Sequence, residues 1–175
     1  MLDIRPQLKD SYVLISCEGG AEDTVIHMLL DDDRFIFNKD AVINITRLRK
    51  ACDIERQFLG FEYDQPVSLL RVVDSLNAKF ELGALYRDAC SVYRICTRPD
   101  IEILTIINED KYDDYCGKRM KPNVYCKQCL GMSDIKRPDF LTGYWDIENL
   151  VRAIRTYARI HRTEPGEYTL ADILT

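Results

Sequence analysis

The stretch S-Y-V-L-I-S-C-E-G-G-A-E-D, residues 11–23, decides how this chain is read. Tyr12 to Ser16 is a short apolar run, the length of a buried strand. It leads to Glu18, then a Gly19-Gly20 turn, and Ala21 to Leu30 then sets Val25, Ile26, Leu29 and Leu30 at helical spacing. A carboxylate between the end of a strand and the start of a helix predicts a place at the mouth of an α/β sheet. Open α/β sheets hold their ligands there. The helix is expected to stop at Asp31-Asp32-Asp33, because carboxylates oppose the partial negative charge of a helix C-terminus.

Outward from that unit the pattern repeats. Ala41 to Ile45 is a second strand, Val67 to Val73 (V-S-L-L-R-V-V) a third that delivers Asp74, and Ser91 to Cys96 a fourth that runs into Thr97-Arg98-Pro99. Between them, Thr46 is expected to cap a helix reaching Phe58, with Leu48, Ala51, Cys52 and Glu55 in its repeat. Phe80 to Ala89 reads as a short helix. Pro99 suits the first turn of a helix carrying Ile101, Leu104, Thr105 and Asn108. Strands alternating with helices imply parallel crossovers, hence an α/β parallel sheet flanked by helices on both faces.

Beyond this core, Asp110 to Lys121 reads as a charged loop and Pro122 to Leu130 as a helix. Trp145 to Arg162 is the clearest helix, with Asp146 as N-cap and Ile147, Leu150, Val151, Ile154 and Ala158 on one apolar face. Met1 to Asp10 is a polar lead-in with little order expected. The tail holds Pro165-Gly166 and a last short helix. With 175 residues and 46% hydrophobic content, one compact core is expected. The division is a single domain, residues 1–175, with an α/β core over 12–110 and a C-terminal helical extension over 111–175.

The net charge of -5, with 30% charged residues, argues against a general polyanion binder, whose footprint is basic. It leaves room for an enzyme that uses acids to hold a metal. The seven cysteines are an odd number, and Met1 to Asp10 has no export signal, so reduced thiols in a cytoplasmic setting are expected. No apolar run approaches the ~20 residues of a membrane span.

Glu18 and Asp74 both follow strands whose ends share one edge of a parallel sheet. Two carboxylates there repel unless a cation lies between them, and Mg²⁺ takes one or two carboxylates while keeping waters for a substrate phosphate. Glu22, one turn into the helix after Glu18, can reach the same ion, although an acid there also suits the helix N-terminus. Glu102, just after the fourth strand, is a fourth candidate.

E-G-G-A-E (Glu18 to Glu22) after an apolar strand, followed by a strand ending in Asp74, resembles the Toprim fold of topoisomerases, primases and overcoming-lysogenization-defect nucleases. Thr97 to Glu109 (T-R-P-D-I-E-I-L-T-I-I-N-E) resembles a segment of the RloB-like branch, which is linked to phage defence. The resemblance covers residues 12 to about 110. It implies a Mg²⁺- or Mn²⁺-dependent nuclease that acts on DNA or RNA in anti-phage defence. Glu18 would be the acid/base or metal-ligating glutamate. Asp74 would be the first aspartate of the family's Asp-x-Asp pair, and Glu22 and Glu102 supporting ligands. The pair's second aspartate is replaced by Leu76, with Ser75 and Asn77 beside it. Leucine cannot bind a metal, so the resemblance also admits a catalytically degenerate protein that binds or regulates a larger defence complex.

Lys79 and Arg98 are candidates for contact with phosphate. Arg152, Arg155, Arg159 and Arg162 recur along one side of the last long helix and could track a phosphate backbone or form a solvated face. Tyr112, Tyr115, Tyr125 and Tyr144 can stack on bases or serve packing. Cys126-x-x-Cys129 with Cys116 is a less favoured zinc alternative. Oligomeric state is left open.

Overall fold

The computed structural model describes residues 3–74, 79–98 and 100–175. Five strands form one all-parallel sheet: β1 (Tyr12–Cys17), β2 (Val42–Thr46), β3 (Val67–Val73), β4 (Cys90–Cys96) and β5 (Glu167–Tyr168), in the order β2-β1-β3-β4-β5. The helices are α1 (Arg5–Lys9), α2 (Gly20–Asp31), α3 (Ala51–Ile54, continued as a π-turn over Glu55–Leu59), α4 (Ala84–Arg87), α5 (Ile103–Asn108), α6 (Tyr112–Gly117), α7 (Pro122–Cys129), α8 (Pro138–Tyr144) and α9 (Ile147–Ile160). No described helix is long and apolar enough to cross a membrane.

Strand alternation divides the interior into two cores. Val13, Ile15 and Cys17 of β1 and Leu70 and Val72 of β3 face the larger one, with α1, α2, α5 and α9. Leu14, Val67, Leu69 and Cys90 face the smaller one, under Ile54, Phe58 and Leu59. β3 is buried along its whole length, as a central strand covered on both faces must be. The connection that leaves β1 runs to β2 on one side, and the connection that leaves β3 runs to β4 on the other. The crevice beyond the C-terminal ends of β1 and β3 is therefore a switch point of the sheet. The α/β parallel sheet flanked by helices is thus the architecture expected.

Several local expectations are corrected. No helix starts at Thr46: its Oγ1 accepts the Leu48 N–H at 3.2 Å, and Ser16 Oγ donates to the Leu48 carbonyl at 2.7 Å. These bonds hold a turn over the end of β1, so the helix begins at Ala51. The Phe80 to Ala89 helix shrinks to α4, because the Gly83 N–H is taken by Glu55 Oε1 at 2.6 Å. The lead-in is ordered: Pro6 sits in the first turn of α1, and Ile4 and Leu8 are buried one turn apart. The supposed loop after Asp110 contains α6, whose Tyr115 packs edge-on against Tyr125 at 5.5 Å. α8, which opens at Pro138, was not anticipated.

The C-terminal region is not purely helical. Glu167 and Tyr168 pair with Arg94 and Ile95, so the chain returns to the sheet as its edge strand. The long helix is confirmed in α9, where Asp146 accepts the Glu148 N–H at 3.4 Å. Pro99, Ser75, Leu76 and Asn77 lie outside the described residues.

Candidate functional site

The register of the sheet sets the site. Cys17 stands beside Val72, so Glu18 and Asp74 leave adjacent strands at nearly the same height. The ladder continues one step further, with the Glu18 N–H donating to the Val72 carbonyl at 3.0 Å. Glu18 Oε2 then accepts the Asp74 N–H at 3.1 Å. Burial, then the hydrogen bond and charge of Glu18, push the Asp74 carboxyl above its ordinary value. Arg49, after β2, lies across the entrance: it donates to the Glu18 carbonyl, and its Nη1 is 3.7 Å from Glu18 Oε1.

Glu22 is buried in the first turn of α2. Its carboxylate folds back over Gly19, where a Cβ would stand only 2.7 Å from Glu22 Oε2. The missing side chain at position 19 is what admits the carboxylate. Burial pushes Glu22 up in pKa, its own N–H and Lys136 pull it down, and Glu102 and Asp74 push it up again. Glu102, 2% exposed, precedes α5. Its Oε1 lies 2.9 Å from Lys136 Nζ, and its buried Oε2 has no hydrogen-bond donor among the described residues. Burial pushes its carboxyl up and Lys136 only partly offsets this. Lys136 Nζ also lies 3.4 Å from Asp100 Oδ1. Glu18, Asp74, Glu22 and Glu102 therefore form one electrostatic neighbourhood at the switch point.

A cavity of about 640 Å³ opens beside it, and its lining includes Asp74, Asp100, Lys118, Arg119 and Lys121. Acids and cations lining one cavity suit a phosphate ester whose reacting centre is held by a metal ion.

The other candidates are placed as follows. Lys79 is exposed, next to the undescribed residues after Asp74. Arg98 points to the sheet edge, where it pairs with Glu167 Oε2 at 2.7 Å and Glu164 at 3.4 Å. Arg152, Arg155 and Arg159 line the exposed side of α9, and Arg162 lies beyond its end. Arg152 donates to Asn108 Oδ1 at 3.3 Å and Arg155 to the Thr175 carbonyl at 2.6 Å. Tyr125 and Tyr144 spend their hydroxyls on Asp114 and Glu109, each at 2.6 Å.

Cys116 and Cys129 are exposed while Cys126 is buried. The trio whose ligand atoms come within 4.8 Å of one another, among the described residues, is instead Cys96, His161 and Glu167. Glu167 there already takes Arg98, the Glu164 N–H at 2.7 Å and His161 Nε2 at 3.2 Å. The four acids at the switch point form no such ready-made trio; a hard cation that keeps most of its waters does not need one.

Reading the sequence alone missed Lys136, Arg49, Asp100, Lys118, Arg119 and Lys121, which reach the site only through the fold. It also passed over Arg71, whose signal was present: a lone cation inside an apolar central strand. Comparison with protein-family models, curated proteins and solved structures finds no match to this chain.

Proposed function

We propose that the chain is a Mg²⁺- or Mn²⁺-dependent phosphodiester hydrolase of Toprim type, acting on DNA or RNA in the cytoplasm as part of anti-phage defence. The observation that carries the reading is the Glu18–Asp74 pair: two acids at adjacent strand ends, joined by the Asp74 N–H on Glu18 Oε2, at the switch point of a parallel sheet. When both are ionised, such a pair calls for a positive charge between them. The donor set of Glu18, Asp74 and Glu22 suits a hard cation, since all its atoms are carboxylate oxygens.

Glu18, Asp74 and Glu22 would hold the ion. When bound, Mg²⁺ supplies a Lewis acid for the phosphoryl oxygen and acidifies a coordinated water. Glu18 is aimed by the Asp74 N–H and is the residue placed to accept a proton. Glu102 acts at the back of the site, where it fixes Lys136 and adds negative charge behind Glu22. Lys118, Arg119 and Lys121 line the cavity where a phosphodiester would lie. Lys79 and the α9 arginines would follow the strand further out.

A second reading is a catalytically degenerate relative that binds or regulates a larger defence complex. It is favoured by the protein's own cations, Lys136 on Glu102 and Arg49 on Glu18, which already answer part of the acidic charge. The deciding experiment incubates the chain with labelled DNA and RNA in Mg²⁺ or Mn²⁺. The hydrolase reading expects cleavage that is abolished by chelation and by Glu18→Gln and Asp74→Asn. Cleavage that persists in those variants, or none with either cation, would remove it.

A further inference from the structure

Arg71 is the feature that the carboxylate site does not account for. It sits in the middle of the sheet and is 5% exposed. Among the described residues its buried Nε has no acceptor and no carboxylate pairs with it. The contact it makes is with the Phe80 ring, 4.0 Å from the guanidinium carbon. Burial pushes it down from the ordinary arginine value, and only the field of Glu18 opposes this. A buried guanidinium without an anion is costly, and folding has nonetheless placed one beside the candidate site.

The register supplies a second cation. Arg71 stands opposite Arg94 on β4, on the same sheet face as Leu69 and Cys90. Arg94 is half-buried. Its neighbour across the next ladder, Glu167, is no counter-ion for it, because the oxygens of Glu167 are taken by Arg98, His161 and the Glu164 N–H. This face thins out at β4: Val92, also on it, is 38% exposed. A cavity of about 600 Å³ lined by Phe80, Leu82, Arg87 and Val92 opens beside β4, and Arg71 and Arg94 lie outside its lining. Glu81 is the acid in that lining. Strand alternation puts Glu18 on this side of the sheet too, two residues beyond Ser16, which pairs with Arg71.

We propose that Arg71 and Arg94 form an anion subsite that receives a backbone phosphate of a nucleic-acid strand, one step away from the phosphate held at Glu18 and Asp74. The inference rests on the hydrolase reading for the identity of the strand, but not for the existence of the subsite. Guanidinium groups suit it because their planar forks bind phosphate oxygens in pairs. Phe80 holds one face of the Arg71 group, which fixes its plane in advance.

The test measures binding of a short fluorescein-labelled single-stranded oligonucleotide in EDTA, so that no metal or turnover contributes. Inorganic phosphate serves as competitor. Arg94→Gln and Arg71→Met are each expected to weaken binding about tenfold and to flatten its salt dependence. Arg71→Met is also expected to raise the melting temperature in the absence of ligand, since it removes an unpaired buried charge. A merely structural arginine would lower it. Oligonucleotide affinity unchanged in Arg94→Gln overturns the subsite, as does a fall in melting temperature in Arg71→Met. Inorganic phosphate that raises the melting temperature of the parent chain but not of Arg94→Gln, with no oligonucleotide binding, overturns the assignment to a strand. Arginine-dependent binding without cleavage in Mg²⁺ leaves the subsite standing and removes the hydrolase. Cleavage that needs Glu18 but neither arginine does the reverse.

Discussion

The Asp74 N–H donates to Glu18 Oε2 at 3.1 Å, so the backbone of one strand end aims the side chain of another. The carboxyl of Asp74 is pushed up by its burial and by that same glutamate. In Glu18→Gln the amide oxygen can still accept the Asp74 N–H, while the negative charge is gone. The Asp74 carboxyl is expected to titrate lower than in the parent chain, as followed by carbon-detected NMR, with little change in stability. An unmoved Asp74 titration would show that the two carboxyls are not electrostatically paired.

Glu102 and Lys136 make a different case. Burial holds the Glu102 carboxyl above its ordinary value even with Lys136 at 2.9 Å. A raised acid stabilises the fold fully below its unfolded value and loses that contribution as pH rises through the folded value. Lys136→Met removes the offsetting charge and is expected to cost about 1–3 kcal/mol at neutral pH. The loss should shrink towards pH 4, where Glu102 is protonated in both chains, and Glu102→Gln should rescue it. Urea titrations across pH read this out; a penalty that does not vary with pH would contradict it.

Gly19 offers a substitution confined to the site. A Cβ there would meet Glu22 Oε2 at 2.7 Å, the end of a side chain that can swing away. The backbone at Gly19 is extended, with φ -136° and ψ 177°, which alanine also adopts. Gly19→Ala is therefore expected to keep stability within about 1 kcal/mol while displacing the Glu22 carboxylate. Calorimetry with Mn²⁺ should then show weaker binding than in the parent. Equal affinity would separate Glu22 from the ion.

At the far edge, Glu167 is fully buried among four donors. Burial alone would push its carboxyl up. Hydrogen bonds from Cys96, the Glu164 N–H, Arg98 and His161 outweigh that and hold it down at about 2. A depressed acid contributes stability that is present above its unfolded value, about 4.3, and is lost as pH falls towards 2. Arg98→Met leaves the carboxylate buried without its guanidinium partner and is expected to cost about 3 kcal/mol at pH 7. The difference from the parent should narrow below pH 4, measured as melting temperature. A variant as stable as the parent at neutral pH would mean that the pair contributes nothing.

Residue order along the chain was enough to define the α/β sheet, the Glu18-Gly19-Gly20 turn, the delivery of Asp74 by an apolar strand, and the long capped helix α9. These features rest on periodicity and on local turn and capping chemistry, which act between residues a few positions apart. The tertiary structure decided the rest. It returned Glu167 and Tyr168 to the sheet edge, and it committed Arg98 to Glu167 rather than to the crevice. It brought Lys136 from a distant loop onto Glu102, and it left Arg71 buried with no anion among the described residues. Each of these depends on which charge meets which across the fold, and on how much water is excluded around it. Burial and Coulomb energy are properties of the assembled core, so no local pattern of residues could carry them.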